Sequence, residues 1–221
     1  MLKVRLNLRK VAAIAACLAV TTMFSGCKKD APDSNLPPVD KEGLTEDIRN
    51  IIPVEVLNGA KGLGFEWNGG NTPPSIEGNY YATPVILVNS TYKNDNIGDK
   101  FNDGTFIFSE QNNLELTVRS YIEEMGVDSD TGLGSFITGK DNKFSVFVVM
   151  NMYSQKVYFF ISGKIENGGI RDFYFLLLNE DLQGRLFKDG DGLAERITST
   201  KSSAQKISGT SSKTLKSFWN D

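Results

Sequence analysis

From Ser75 onward the chain consists of short segments in which apolar and polar residues alternate, separated by clusters of turn-forming residues. A period of two is typical of β-strands that bury one face. The pattern predicts eight strands, near 76–90, 104–110, 113–123, 133–140, 143–152, 155–166, 170–179 and 193–199. Because neighbouring strands are joined by short connections, we expect an all-β, up-and-down antiparallel meander. A meander of about eight strands removes its exposed edges by closing into a barrel.

One face of the predicted strands is apolar, and we assign it to the barrel interior. It carries Phe106, Phe108, Leu114, Leu116, Val118, Phe144, Val146, Val148, Val157, Phe159 and Ile161. An eight-stranded barrel is either filled by its side chains or holds one small ligand. The pattern of residues is the same in the two cases, so these side chains are either a core or the lining of a ligand site.

The opposite face of the later strands is also apolar. It carries Phe147, Val149, Tyr158, Phe160, Tyr174, Leu176 and Leu178. An apolar surface of this size on the outside of a barrel needs cover. We expect the segment before the barrel to supply it, and a homodimer contact, a protein partner and the membrane surface are the alternatives. In those alternatives the partner face is Phe147, Tyr158, Phe160 and Tyr174.

Residues 44–61 carry apolar side chains at helical spacing, with Thr45 suited to the N-cap and Gly62 to the C-cap. Pro53 divides the segment, because proline is tolerated in the first turn of a helix and not in its interior. We therefore expect one or two short α-helices before the barrel. A glycine- and proline-rich connection over residues 62–75 separates them from the first strand.

The first 27 residues have the organisation of a secretory leader. Four basic residues precede an apolar run from Val11 to Phe24, which is shorter than the roughly 20 residues that span a bilayer. Phe24-Ser25-Gly26-Cys27 follows directly and resembles the lipobox of bacterial lipoproteins. The resemblance implies cleavage before Cys27 and attachment of a diacylglycerol to its thiol.

The chain is therefore predicted to have three parts. Residues 1–26 are a lipoprotein signal peptide, 27–42 are the lipidated cysteine and a flexible, proline-rich tether, and 43–221 are a single barrel domain. Within that domain, residues 198–221 are expected to end in a short helix that docks on the barrel. The expected location is the bacterial cell envelope, with a lipid anchor in the outer membrane facing either the periplasm or the cell surface.

Composition excludes several kinds of chemistry. The sequence contains no histidine, which removes imidazole bases, the Ser-His-Asp and Cys-His nucleophile systems and histidine-ligated metals. Cleavage before Cys27 leaves one cysteine, which is acylated. The mature chain then has 20 basic and 27 acidic residues, a net charge of −7. That charge argues against nucleic acid as a partner, because binding to nucleic acid neutralises phosphates with Lys and Arg.

The start of the first strand resembles the opening of lipocalins and related calycins. In Ile76-Glu77-Gly78-Asn79-Tyr80-Tyr81, a glycine is followed two residues later by an aromatic, with Tyr80 where that family has tryptophan. A longer stretch, from Gly64 to Gly192, is similar to uncharacterised lipocalin-like lipoproteins of Gram-negative bacteria. The resemblance implies a barrel whose aromatic residue closes one end and whose other end opens to a ligand cavity, with no assigned activity.

Two acidic patterns invite a catalytic or metal-binding interpretation. The loop Asp189-Gly190-Asp191-Gly192 has alternating carboxylates, but the positions that follow lack the ligands of an EF-hand, so we interpret it as a turn. The pairs Glu123-Glu124 and Glu180-Asp181 are adjacent in sequence, so in a strand they would point to opposite faces and would not flank a sugar. We expect no metal and no cofactor.

These observations predict a non-enzymatic envelope lipoprotein that binds a small, partly apolar ligand inside its barrel. The predicted lining is Tyr80, Phe106, Phe108, Leu116, Val118, Phe144, Val146, Val148, Phe159 and Ile161. The alternative is a protein interaction module with a filled barrel and an exposed apolar face. A hydrolase that works without histidine is a third, less favoured interpretation.

Overall fold

The computed structural model describes residues 35–125, 127–152 and 155–197. Cys27, the leader before it and the terminal helix expected within residues 198–221 lie outside these ranges. Among the described residues, no helix is long and apolar enough to cross a membrane.

Two short helices precede a chain of β-strands. The helices are α1 (Glu46–Ile51) and α2 (Val54–Gly62). The strands are β1 (Gly78–Ala82), β2 (Val85–Ser90), β3 (Lys100–Phe101), β4 (Gly104–Asn112), β5 (Thr117–Ile122), β6 (Val127–Asp128), β7 (Gly134–Lys140), β8 (Lys143–Met152), β9 (Gln155–Glu166), β10 (Gly169–Asn179), β11 (Gly184–Asp189) and β12 (Leu193–Ile197).

The strands form a closed, eight-stranded antiparallel barrel, which confirms the predicted fold class. Three of its eight members are built from two short strands in line: β1 with β2, β3 with β4, and β11 with β12. The register shows this continuity, since Tyr80 pairs with Phe106 and Val85 pairs with Phe101. The barrel closes where β12 pairs with both β1 and β10. Each member therefore lies beside its neighbour in sequence, and the last lies beside the first.

The structure corrects three strand predictions. The first predicted strand is interrupted at Thr83–Pro84, where proline has no N–H to donate to the sheet. Residues 184–189, which we left unassigned next to a turn cluster, form β11. The strand predicted over 113–123 begins only at Thr117, because residues 113–116 are a turn in which Leu116 has a φ of +53°. Leu114, assigned to the interior, is 64% exposed in that turn.

The barrel has one weakly paired seam, between β5 and β7. Thr117 opposite Phe136 is their one pair in register, and the backbone N–H of Ile137 donates to the carbonyl of Leu116 at 2.8 Å. Farther along, the segment that follows β5 turns back, and its short strand β6 pairs with β5 instead. Met125 and Val127 of this segment are buried in the barrel interior.

Side chains fill the inside of the barrel. Its buried cluster includes nine aromatic residues: Tyr80, Phe101, Phe106, Phe108, Phe144, Phe159, Phe173, Phe175 and Phe187. The ring centroids of Phe106 and Phe173 lie 4.7 Å apart, and those of Phe175 and Phe187 lie 5.0 Å apart. These separations are those of rings in direct contact. Of the two forms that an eight-stranded barrel can take, the described residues form the filled one.

The N-terminal helices cover the outer apolar face, as expected. Thr45 caps α1 by accepting a hydrogen bond from the Ile48 N–H, and Pro53 lies between the two helices. A second buried cluster joins the helices and the segment after them to the outside of β8–β11. It contains Leu44, Ile48, Ile52, Val56, Leu57, Ala60, Leu63, Phe65, Phe147, Val149, Tyr158, Phe160, Leu176, Leu178 and Leu186.

The folded domain includes residues that the composition placed in the tether. Val39 forms a bridge with Thr45, and the Asp40 carboxylate accepts from Leu44 N–H at 3.1 Å and from Arg49 Nε at 2.7 Å. Glu42 pairs with both Arg49 and Lys61. Residues 39–42, which we placed in the flexible tether, are therefore part of the domain.

Candidate functional site

The residues predicted to line a ligand cavity are brought together, but they pack against one another. Nine of the ten belong to the interior cluster, and Leu116 is buried outside it. The cavity next to this cluster, between the β10–β11 turn and Tyr92, has a volume of about 10 Å³, which is room for about one water molecule. In the described part of the chain, the predicted lining therefore acts as a core.

Gly78 and Tyr80, which carry the resemblance to lipocalins, lie near one end of the barrel. Tyr80 is buried against Phe108, with ring centroids 5.9 Å apart, and pairs across the sheet with Arg196 of β12. The Arg196 guanidinium donates to the Glu77 carbonyl at 2.8 Å. Gly78 has a φ of +148°, a conformation that favours glycine, and a Cβ there would lie 2.8 Å from Arg196 Nε and push the arginine side chain away. Gly78 and Tyr80 thus both lie next to Arg196 of β12.

The predicted partner face is mostly inaccessible. Phe147, Tyr158 and Phe160 are at most 1% exposed, because α1, α2 and the segment after them lie on top. Tyr174 alone of the four remains half-buried. The first three residues are therefore not available to a second protein in this structure, since the chain covers them itself.

A groove with a volume of about 610 Å³ lies outside the barrel, at the margin of that covered face. Its lining comes from the segment after α2 and from strands β2, β8, β9, β10 and β11. It consists of Leu63, Gly64, Glu66, Asn68, Val88, Asn89, Lys143, Ser162, Gly163, Lys164, Asp172, Tyr174 and Leu186. This volume falls within the range of small-molecule sites, about 300–1,000 Å³.

The segment that forms one side of the groove is fastened at both ends. Asn89 Nδ2 donates to the Leu63 carbonyl at 3.0 Å. At the other end, the Asn68 N–H donates to Ser145 Oγ at 2.7 Å, and Asn68 Nδ2 donates to the Phe144 carbonyl at 2.9 Å. The groove lies between these attachments, so its width is set by hydrogen bonds to the barrel and not by a free loop.

A β-bulge shapes the opposite side of the groove. The register of β10 against β9 shifts between Arg171 and Tyr174, and Asp172 within the shift has a φ of +50°. A left-handed conformation costs energy for a residue with a side chain, and bulges often redirect side chains at functional sites. Here the bulge places Asp172 in the groove beside Tyr174.

The groove combines the side chains that a partly apolar ligand with polar groups requires. Leu63, Val88 and Leu186 are apolar, and Tyr174 offers a ring with a polar end. Two carboxylates, of Glu66 and Asp172, and two ammonium groups, of Lys143 and Lys164, supply charges of both signs. No group of three or more acidic or cysteine side chains among the described residues could hold a metal ion.

Asp189, in the loop considered for calcium, is a buried carboxyl. It is 5% exposed; its Oδ1 accepts from the Thr83 N–H at 2.8 Å, and its Oδ2 has no hydrogen-bond partner among the described residues. Burial, followed by the neighbouring Asp191 carboxyl, raises the pKa of Asp189 to about 6, and the bond from Thr83 opposes this. Asp189 therefore keeps its proton into mildly acidic solution.

This carboxyl predicts a specific dependence of stability on pH. The folded-state pKa is raised, so between pH 4 and 6 the folded protein keeps a proton that the unfolded chain has lost. The stabilisation from the proton on Asp189 is complete below about pH 4 and is lost as the pH rises through about 6. A pKa difference of about two corresponds to about 3 kcal/mol in the free energy of unfolding. Asp189→Asn should remove most of this decline and make the protein more stable than wild type at pH 7.

The measurement is urea unfolding of both proteins at pH 4.5, 5.5 and 7. Asp181→Asn, which alters an exposed carboxylate in the β10–β11 turn, is the matched control and should leave the pH dependence unchanged. An Asp189→Asn variant whose unfolding free energy falls with pH as steeply as wild type would contradict the assignment.

The other end of the barrel carries a buried ion pair. Arg185 of β11 binds Asp95 of the 91–99 loop through two hydrogen bonds, Nε to Oδ2 at 2.5 Å and Nη2 to Oδ1 at 3.1 Å. Both side chains are less than 10% exposed. The guanidinium lies over the Tyr92 ring, 4.0 Å from its centroid, and Ser90 Oγ donates to Asp95. These contacts hold the 91–99 loop against the end of the barrel.

Comparison with known proteins does not assign this chain to a family. No protein family model, curated protein or solved structure matches this chain. The structure shows a closed, eight-stranded antiparallel barrel, which is compatible with a lipocalin-like fold.

Sequence reasoning did not find the groove. Its residues come from six separate segments between Leu63 and Leu186, and no motif joins them. The one available signal was the run of glycines and polar residues over 62–70, which we interpreted only as a connection.

Proposed function

We propose that this protein is a lipoprotein of the bacterial outer membrane, anchored through Cys27, that binds a small, partly apolar ligand without catalysing a reaction. The ligand site in this proposal is the external groove and not the barrel interior. The leader and the lipobox-like sequence ending at Cys27 support the anchor.

The observation that carries the binding proposal is the contrast between a filled barrel and an open groove of about 610 Å³. A ligand inside the barrel would have to displace buried aromatic rings, which costs several kcal/mol. The groove needs no such rearrangement. Its apolar residues would hold the body of the ligand, and its charges and amides would orient the polar groups.

Native mass spectrometry of the mature protein, released from detergent micelles, tests this proposal. We expect a stoichiometric adduct of a few hundred daltons that is lost on unfolding. Val88→Trp should remove the adduct, because it places an indole in the groove where Val88 lines it. Ile86→Trp is the matched control: it lies two residues away on the outside of β2 and does not line the groove.

Three results would count against the proposal. A bare wild-type monomer would oppose ligand binding, and an adduct that persists in Val88→Trp would place the ligand elsewhere. A bare dimer would favour the interaction module, with Tyr174 and its neighbours at the contact.

A further inference from the structure

Four basic residues form a row across four adjacent strands. The register places Lys140 of β7 opposite Lys143 of β8, Lys143 opposite Lys164 of β9, and Lys164 opposite Arg171 of β10. Residues directly opposite in an antiparallel sheet share a face. With strands about 4.8 Å apart, the row is about 15 Å long.

Such a row is unfavourable unless something anionic neutralises it, because like charges directly opposite one another destabilise a sheet. Glu166 supplies part of the compensation, through contacts of 3.1 Å with Arg171 and 3.6 Å with Lys164. The carboxylates of Glu66 and Asp172 supply a further part, since they line the same groove as Lys143 and Lys164. Lys140 and Lys143 are exposed and form no ion pair with any described residue. The β7–β8 half of the row is therefore the half open to an external anion.

The row occupies one half of its barrel rim. The opposite half, around β1, β4 and β5, carries the exposed acidic residues Glu77, Glu110 and Glu115. The row's own half also carries the exposed carboxylates of Asp141 and Asp172, and Glu110 on the opposite half lies 3.5 Å from Arg119. A flat anionic surface would therefore be attracted chiefly at Lys140 and Lys143 and repelled chiefly at Glu77 and Glu115. This uneven distribution of charge would orient the barrel on the surface as well as attract it.

The chain enters the domain beside this row. Asn71 Nδ2 donates to the Pro37 carbonyl at 3.1 Å, and Asn71 forms a bridge with Gly139, the residue before Lys140. Residues 28–36 separate Cys27 from this point. Nine residues reach at most about 30 Å when fully extended, so an anchor at Cys27 keeps this rim close to the bilayer.

We propose that the row Lys140, Lys143, Lys164 and Arg171 docks on anionic phospholipid headgroups of the bilayer that holds the anchor, and so fixes the orientation of the barrel. This inference rests on the anchor of the proposed function. Basic residues near an anionic membrane surface are attracted within about a Debye length, about 8–10 Å at physiological salt. Docking brings the groove, which Lys143 and Lys164 line, to the membrane surface.

The test uses the acylated protein, inserted from detergent into preformed vesicles and treated with a membrane-impermeant amine-reactive label. One set of vesicles contains phosphatidylcholine alone, and the other contains phosphatidylcholine with about a third phosphatidylglycerol. We expect Lys140, Lys143 and Lys164 to be labelled at least about threefold more slowly on the anionic vesicles, and 0.5 M salt to abolish the difference. Lys156, at the opposite end of the barrel, should be labelled equally on both.

A charge-reversal variant provides a second readout. In Lys140→Glu/Lys143→Glu, the remaining Lys164 should lose its protection, whereas Lys156→Glu should leave it unchanged. Lys140 and Lys143 are exposed, and Lys156 is 33% exposed at the end of a surface ion pair with Glu180, so neither change should prevent folding. Labelling of Lys140, Lys143 and Lys164 at the same rate on the two kinds of vesicle, whether fast on both or slow on both, would overturn the inference. Protein that fails to remain with either vesicle would overturn the anchor itself.

Discussion

Phe175→Ala should lower the free energy of unfolding by about 3–5 kcal/mol, the usual cost of removing a buried phenyl ring. Phe175 is fully buried and contacts four other rings: Phe106, Phe159, Phe173 and Phe187. Because these rings surround it on several strands, they cannot all move in to fill the space. Urea unfolding followed by circular dichroism measures the loss.

The size of that loss also tests whether the barrel is filled. Leu114→Ala is the control, since Leu114 is 64% exposed in a turn and its truncation should change stability by less than about 0.5 kcal/mol. In a hollow barrel, Phe175 would already border a space, and no new cavity would add to its cost. A loss below about 1.5 kcal/mol would contradict the filled interior described above.

Arg185→Met should cost about 3–5 kcal/mol, because it leaves the Asp95 carboxylate buried without its partner. Methionine keeps much of the aliphatic length of arginine, so the change removes charge and hydrogen bonds more than volume. The cation–π contact with Tyr92 is lost as well. We expect the melting temperature to fall by roughly 10 °C for a domain of this size.

Two further variants separate the buried charge from the lost contacts. Arg171→Met removes a cation from an exposed pair with Glu166 and should cost less than about 1 kcal/mol. Arg185→Met/Asp95→Asn removes both charges and should recover at least about half of the stability lost in Arg185→Met alone. An equal loss in the double variant would show that packing, and not the unpaired carboxylate, accounts for the effect.

Local patterns were sufficient for the elements of the barrel. The alternation in β8 and β9 assigned Phe144, Val146 and Val148 to the interior and Phe147 to the outside, and the structure confirms these assignments. Thr45 and Pro53 likewise marked the start of α1 and the break before α2. Where the period was short or interrupted, as in β11, the same reasoning failed. A six-residue strand beside a glycine-rich turn carries too little alternation to be recognised.

The covered outer face shows where local reasoning ended. The sequence contained both surfaces, an apolar face on β8–β10 and an apolar helical stripe before the barrel, so their pairing was the simplest prediction. It could not show that residues 39–42 join the domain, since those contacts depend on Arg49 and Lys61 lying beside Asp40 and Glu42. Composition alone made the same residues look like a tether.

The sequence by itself determined the barrel and which side of each strand is apolar, because side-chain alternation is a property of a few consecutive residues. Only the tertiary structure decided that the interior is filled, since this depends on whether the side chains of all eight members together fit the enclosed space. It also decided where the groove and the basic row lie. Both arise from residues that are distant in sequence and are brought together by strand register and by the fastened segment after α2.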